Sequence, residues 1–134
     1  PLNFSTRSIT GKQAEEAFLE LHRDQQFPIH GELVDRTLHG CGYDFEIQQD
    51  SHVSAIEVKG LSGLTGGISL TSKEWQIAKN MGPDYYLVIV RSVGNGPDFQ
   101  IIKDPFSKLD PKRTISTVIQ VRWNVGGKGL TDIE

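Results

Sequence analysis

Cysteine is almost absent from this chain of 134 residues: Cys41 is the only one. That excludes an intrachain disulfide and any cysteine-based metal site, and it fits a reducing compartment. No apolar run approaches the ~20 residues of a membrane-spanning helix, and no signal peptide is recognisable, so the expected location is cytoplasmic. Excess positive charge is missing too. The formal net charge is -3, which argues against a dedicated non-specific binder of nucleic acid. Repeats and low-complexity segments are lacking. His22, His30, His39 and His52 show no HxH or HxxxH ligand spacing and read as surface histidines, with His30 and His39 as secondary candidates for a DNA-facing loop. Gly63, Gly66 and Gly67 are followed by neither GK[ST] nor a GxGxxG turn, so they form no phosphate cradle and instead give a mobile loop.

What remains is a foldable composition of 37% hydrophobic and 23% charged residues, enough for one domain with its own core. The chain reads as a single domain over 1–134. Its core covers about 8–123, a flexible tail follows over 124–134, and the whole is suited to excision from a longer protein.

Ala14, Ala17, Phe18 and Leu21 recur at helical spacing and predict a helix over 10–22, capped by Ser8 or Thr10. Pro1 to Ser8 and residues 23–33 read as irregular. Strands are expected at 43–49 and 53–60 around a turn at 49–52, with a short one at 68–71. Thr71 or Ser72 then caps a helix over 73–81, which Gly82-Pro83 stops. Tyr85 to Val90 is a near-continuous apolar run, the mark of a strand buried on both faces. A strand at 99–102 and an alternating edge strand at 117–123 complete an α/β domain with a mixed sheet flanked by helices.

The chemistry concentrates in Asp44 and, after twelve intervening residues, Glu57-Val58-Lys59. Strand side chains alternate faces, so Glu57 and Lys59 point together while Ile56 and Val58 turn into a core. Asp44 joins them across a hairpin, with Phe45 and Ile47 buried. Taken alone, the pair also fits a solvated strand face, and Asp44 a turn. Two carboxylates and an ammonium on a half-buried face are costly unless something pairs them, and a divalent metal does so. A carboxylate-held metal beside a lysine suits phosphodiester cleavage. Glu46 shares that face and reads as a surface residue, Trp75 reads as core, and Lys73, Glu74 and Gln76 read as mostly outside. Lys73 is a weaker phosphate-contact candidate. Tyr85 and Tyr86 read as core.

These residues and their order resemble the PD-(D/E)xK nuclease superfamily, with its restriction-endonuclease-like αβββαβ core, and within it the Mrr-like branch. More specifically, the chain is similar to the domain of unknown function named after the C-terminal part of the NO VEIN protein. The resemblance rests on Gly11-Lys12-Gln13-Ala14-Glu15-Glu16, Gly42-Tyr43-Asp44, Ile56-Glu57-Val58-Lys59-Gly60, Leu70-Thr71-Ser72-Lys73-Glu74-Trp75 and Tyr85-Tyr86-Leu87-Val88, which together span about 10–92. Ala14 departs from the glycine usual in that family. The resemblance implies a Mg²⁺-dependent endonuclease acting on DNA in defence against foreign DNA, with Mn²⁺ able to substitute. Asp44, Glu57 and the Val58 backbone carbonyl would bind the ion, with Glu15 an additional acid from the first helix. Lys59 would serve the attacking water or the phosphate. It also implies a homodimer, with 117–123 as the interface, and a fused or associated helicase or DNA-recognition domain. A catalytically silent nucleic-acid-binding or protein-interaction module is the alternative, because fold does not dictate function.

Overall fold

The computed structural model describes residues 8–132. Ser8 caps α1 (Ile9–Arg23), its hydroxyl accepting from the Gly11 N–H at 2.9 Å. Three antiparallel strands follow: β1 (Glu32–Asp35), β2 (Phe45–Gln49) and β3 (His52–Gly60). Helix α2 (Ser72–Met81) then carries the chain to β4 (Tyr85–Arg91), which lies parallel to β3. β5 (Asp98–Lys103) returns antiparallel to β4, and two short helices, α3 (Pro105–Lys108) and α4 (Gly127–Thr131), follow. The sheet runs β1-β2-β3-β4-β5, so the fold is the expected mixed α/β sheet flanked by helices.

Several local expectations differ from the structure. The third antiparallel strand is β1, inside what reads as loop. The segment 68–71 is irregular, and 117–123 pairs with no strand among the described residues. Part of the tail, 127–131, is helical. The irregular start expected for residues 1–7 lies outside the described residues. β1 was hidden because its four residues Glu-Leu-Val-Asp offer only two apolar positions between acids, too short a pattern to separate from a loop.

Alternation along β2 and β3 sorts the two faces. Phe45, Ile47, Ile56 and Val58 turn to the α1 side, where Phe18 and Phe27 join them in the main core. Phe18 is wholly buried, with its ring centroid 5.3 Å from those of both Phe27 and Phe45. A buried side chain of this size stabilises by roughly 2–3 kcal/mol. Ala55, Ala78 and Tyr85 form a smaller cluster on the α2 side, supported by Tyr43, Trp75, Ile77 and Met81. Trp75 also packs on Phe106 at 5.0 Å between centroids, tying α3 to α2.

Two glycines set how closely the helices approach. A Cβ at Gly60 would meet the Ala14 Cβ at 2.7 Å and the Thr10 carbonyl oxygen at 2.9 Å. Gly42, at φ +94°, adopts a left-handed backbone, and a Cβ there would meet Ile77 at 2.7 Å. Replacement of Gly60 by Val is therefore expected to push α1 off β3 and cost about 1–3 kcal/mol of unfolding free energy, measured by urea denaturation. A change within about 0.5 kcal/mol would show that the helix does not depend on this contact.

Candidate metal centre

Asp44 immediately precedes β2, yet its backbone is already locked into the sheet. Its N–H donates to the Ile56 carbonyl at 2.9 Å, and its carbonyl accepts from the Arg36 N–H at 2.8 Å. Its carboxylate accepts from the Val58 N–H at 2.8 Å. The register that pairs Phe45 with Ile56 brings Asp44 opposite Glu57, on the α2 side of the sheet. Sequence alternation thus placed Asp44, Glu57 and Lys59 together, and the structure has them together.

Glu57 is only 3% exposed. One carboxyl oxygen lies 3.2 Å from the Lys59 ammonium, while the other, Oε1, is buried with no hydrogen-bond partner. Desolvation, and then the charge of Asp44, push Glu57 up to about 9. Lys59 shifts upward as well. Desolvation pulls it down, but Glu57 and Glu74 more than offset this. The Lys59 contact with Glu74 is the shorter, at 2.9 Å. Glu74 is thus the nearer of the two carboxyl groups to Lys59, and burial drives Glu57 toward its neutral form.

Glu74 is the cleft residue that helix periodicity missed. It stands at the third position of α2 in a capping box: Thr71 Oγ1 accepts from the Glu74 N–H, and Glu74 Oε1 accepts from the Thr71 N–H, both at 3.0 Å. The cap turns its carboxylate back toward the end of β3 instead of outward. The Thr-x-x-Glu pattern was the available signal. Lys73, next to it, is exposed but lines the same cleft.

That cleft, about 230 Å³, is lined by Asp44, Glu57, Thr71, Lys73, Glu74 and the 37–43 segment. Tyr85 donates to the Gly42 carbonyl at 2.8 Å and so fixes the wall from below. Glu46 is not the surface residue it resembled. It is 7% exposed and accepts from Tyr43, Arg36 and Gln48. Burial alone would raise its pKa, but these hydrogen bonds outweigh burial and hold it low. This cluster braces the segment leading to Asp44. Glu15 is also buried, at 9%, but on α1, which packs against the opposite face of the sheet, and it does not line the cleft. A larger hollow of about 450 Å³ beside His22, Arg23 and His30 lies apart from these carboxylates. His22 bonds to the Gly31 carbonyl and His52 pairs with Asp84, in line with surface roles. The first residues of the glycine loop are tied to the end of β4 and the turn after it, the Leu61 N–H donating to the Val90 carbonyl and the Ser92 N–H to the Gly63 carbonyl.

Asp44 and Glu57 line the same cleft from neighbouring strand positions, and their carboxyl groups are oxygen donors of the kind a hard cation takes. The buried, unpartnered Glu57 oxygen is the observation that fits such an ion. Among the described residues, no group of three or more His, Cys, Asp or Glu side chains is arranged to hold one. Among the same residues, no helix is long and apolar enough to cross a membrane.

The family model described as Protein NO VEIN, C-terminal covers residues 12–102, and the chain belongs to that family. No curated protein and no solved structure matches significantly.

Glu57 generates a pH dependence. Its folded pKa of about 9 lies above an ordinary value of 4.5. Between these limits the unfolded chain has released a proton that the folded one retains, so stability falls as pH rises through this window. Thermal unfolding in chelator between pH 5 and 9 is expected to show a loss of up to about 1.4 kcal/mol per pH unit, most of which Glu57→Gln removes. An unchanged slope in that variant would assign the effect elsewhere.

Proposed function

We propose that this member of the NO VEIN C-terminal family is a metal-dependent endonuclease that hydrolyses DNA phosphodiester bonds, built on the restriction-endonuclease-like plan of the PD-(D/E)xK superfamily and its Mrr-like branch. The observation that carries this reading is the buried Glu57 carboxyl opposite Asp44, with an unsatisfied oxygen and Lys59 at 3.2 Å.

Asp44 and Glu57 would hold Mg²⁺ or Mn²⁺, with the Val58 carbonyl as an additional ligand and without Glu15, which does not line the cleft. When bound, the ion supplies charge neutralisation at the phosphate and acidifies a bound water. The protein's own groups do the rest. The Val58 N–H fixes the Asp44 carboxylate. Lys59 donates to Glu74, which would hold the ammonium beside Glu57, where it would orient water or meet the phosphate. Lys73, at the rim, is placed to contact a neighbouring phosphate. Cleavage of foreign DNA is the role this chemistry suits, alongside a helicase or DNA-recognition partner that would supply the positive charge this domain lacks.

One observation favours a second reading, a silent binding module. Lys59 already contacts the carboxyl groups of both Glu57 and Glu74, so its charge is engaged without any ion.

Incubation of supercoiled plasmid with the wild type in Mg²⁺ or Mn²⁺ should give nicked and linear products. Glu57→Ala and Lys59→Ala, with circular dichroism unchanged, should be slower by at least about 100-fold. Cleavage by both variants at the wild-type rate would refute the nuclease reading. A wild type that binds DNA but leaves it intact would favour the silent module.

A further inference from the structure

Residues 115–125 carry an anomaly independent of the cleft. Ile115, Ile119, Val121, Trp123 and Val125 are 63–91% exposed, with Trp123 the most exposed. Large apolar side chains gathered in one segment rarely stand in water unless something covers them. Their spacing is regular. Odd positions from 115 to 125 read Ile, Thr, Ile, Val, Trp, Val, and even positions from 114 to 124 read Thr, Ser, Val, Gln, Arg, Asn. That is the signature of a strand with one buried face. Yet the segment is irregular and lies off the sheet of its own chain.

The same chain carries a surface that accepts such a strand. β5 is an edge of the sheet, with no strand beyond it among the described residues. Its Phe99 and Ile101 only partly bury against the α1-side core. The other edge, β1, spans four residues and ends in acids at both sides, Glu32 and Asp35, which blunts it for pairing.

We propose that residues 114–125 form a strand on the β5 edge of a second copy of this chain, exchanged reciprocally so that each copy covers Phe99 and Ile101 of the other. Apolar surface and open edge sit on one chain, so the contact is self-complementary and closes as a two-fold dimer. Two such strands would together bury on the order of 1,500 Å², within the range of stable interfaces. Backbone pairing at β5 sets the affinity, and the odd-numbered side chains set the register.

Sedimentation equilibrium of the full chain, with amide hydrogen exchange, tests this without reference to catalysis. The expected result is twice the monomer mass, with amides of both 98–103 and 115–124 slowed at least ~10-fold relative to I119D/V121D. That double variant should be monomeric with an unchanged core spectrum. Val121→Pro, which removes a strand donor and leaves the core untouched, should also be monomeric. A monomeric wild type overturns the proposal, whether its 115–124 amides exchange freely or are protected by its own β5. A dimer that survives both variants, or one in which β5 stays unprotected, overturns it as well.

Discussion

A carboxyl group buried without full compensation governs this domain. Glu57 sits in the central strand β3, almost sealed from water, with Asp44 across from it and one oxygen unpartnered. A bare carboxylate there would be costly, and a second negative charge beside it makes matters worse. The fold answers in two ways. Burial favours the neutral form of Glu57, and Lys59 is held at hand between Glu57 and Glu74. A cation placed between Asp44 and Glu57 would remove the conflict at its source. That conflict is the ground on which the site is proposed to take an ion.

The surrounding architecture makes sense as support for those few groups. α1 and its phenylalanines fill one face of the sheet, so the alternate side chains of β3 are driven to the other. There α2 approaches closely enough, over Gly42, to lay its capping box beside the end of the strand. The Glu46 cluster, with Tyr43 and Arg36 donating to it, stiffens the segment before Asp44. Each device is an ordinary element of folding, namely a cap, a close glycine contact or a satisfied buried acid. Together they fix the positions of Asp44, Glu57 and Lys59.

Much of this was legible in the sequence because it depends on local periodicity. The period of two in 53–60 placed Glu57 and Lys59 on one face, and the apolar run at 85–90 announced a strand covered on both sides; the structure agrees on both. Features set by tertiary contact were not legible. Glu46 looks like any alternating surface acid until Arg36 and Tyr43 fold over it. Glu74 looks outward-facing until its cap turns it back. β1 is too short to show a period. The segment 117–123 shows a clear strand period but pairs with no strand among the described residues, since a pattern specifies which face must be buried and not what buries it.

Calorimetric titration of Mn²⁺ at about pH 7.5, repeated in two buffers of different ionisation enthalpy, measures ion binding and the accompanying proton release together. If the Asp44–Glu57 pair is a site for a cation, one ion binds per chain, close to one proton leaves with it, and both signals vanish in Glu57→Gln. Absence of binding in the wild type, or binding whose proton release is untouched by Glu57→Gln, would contradict it.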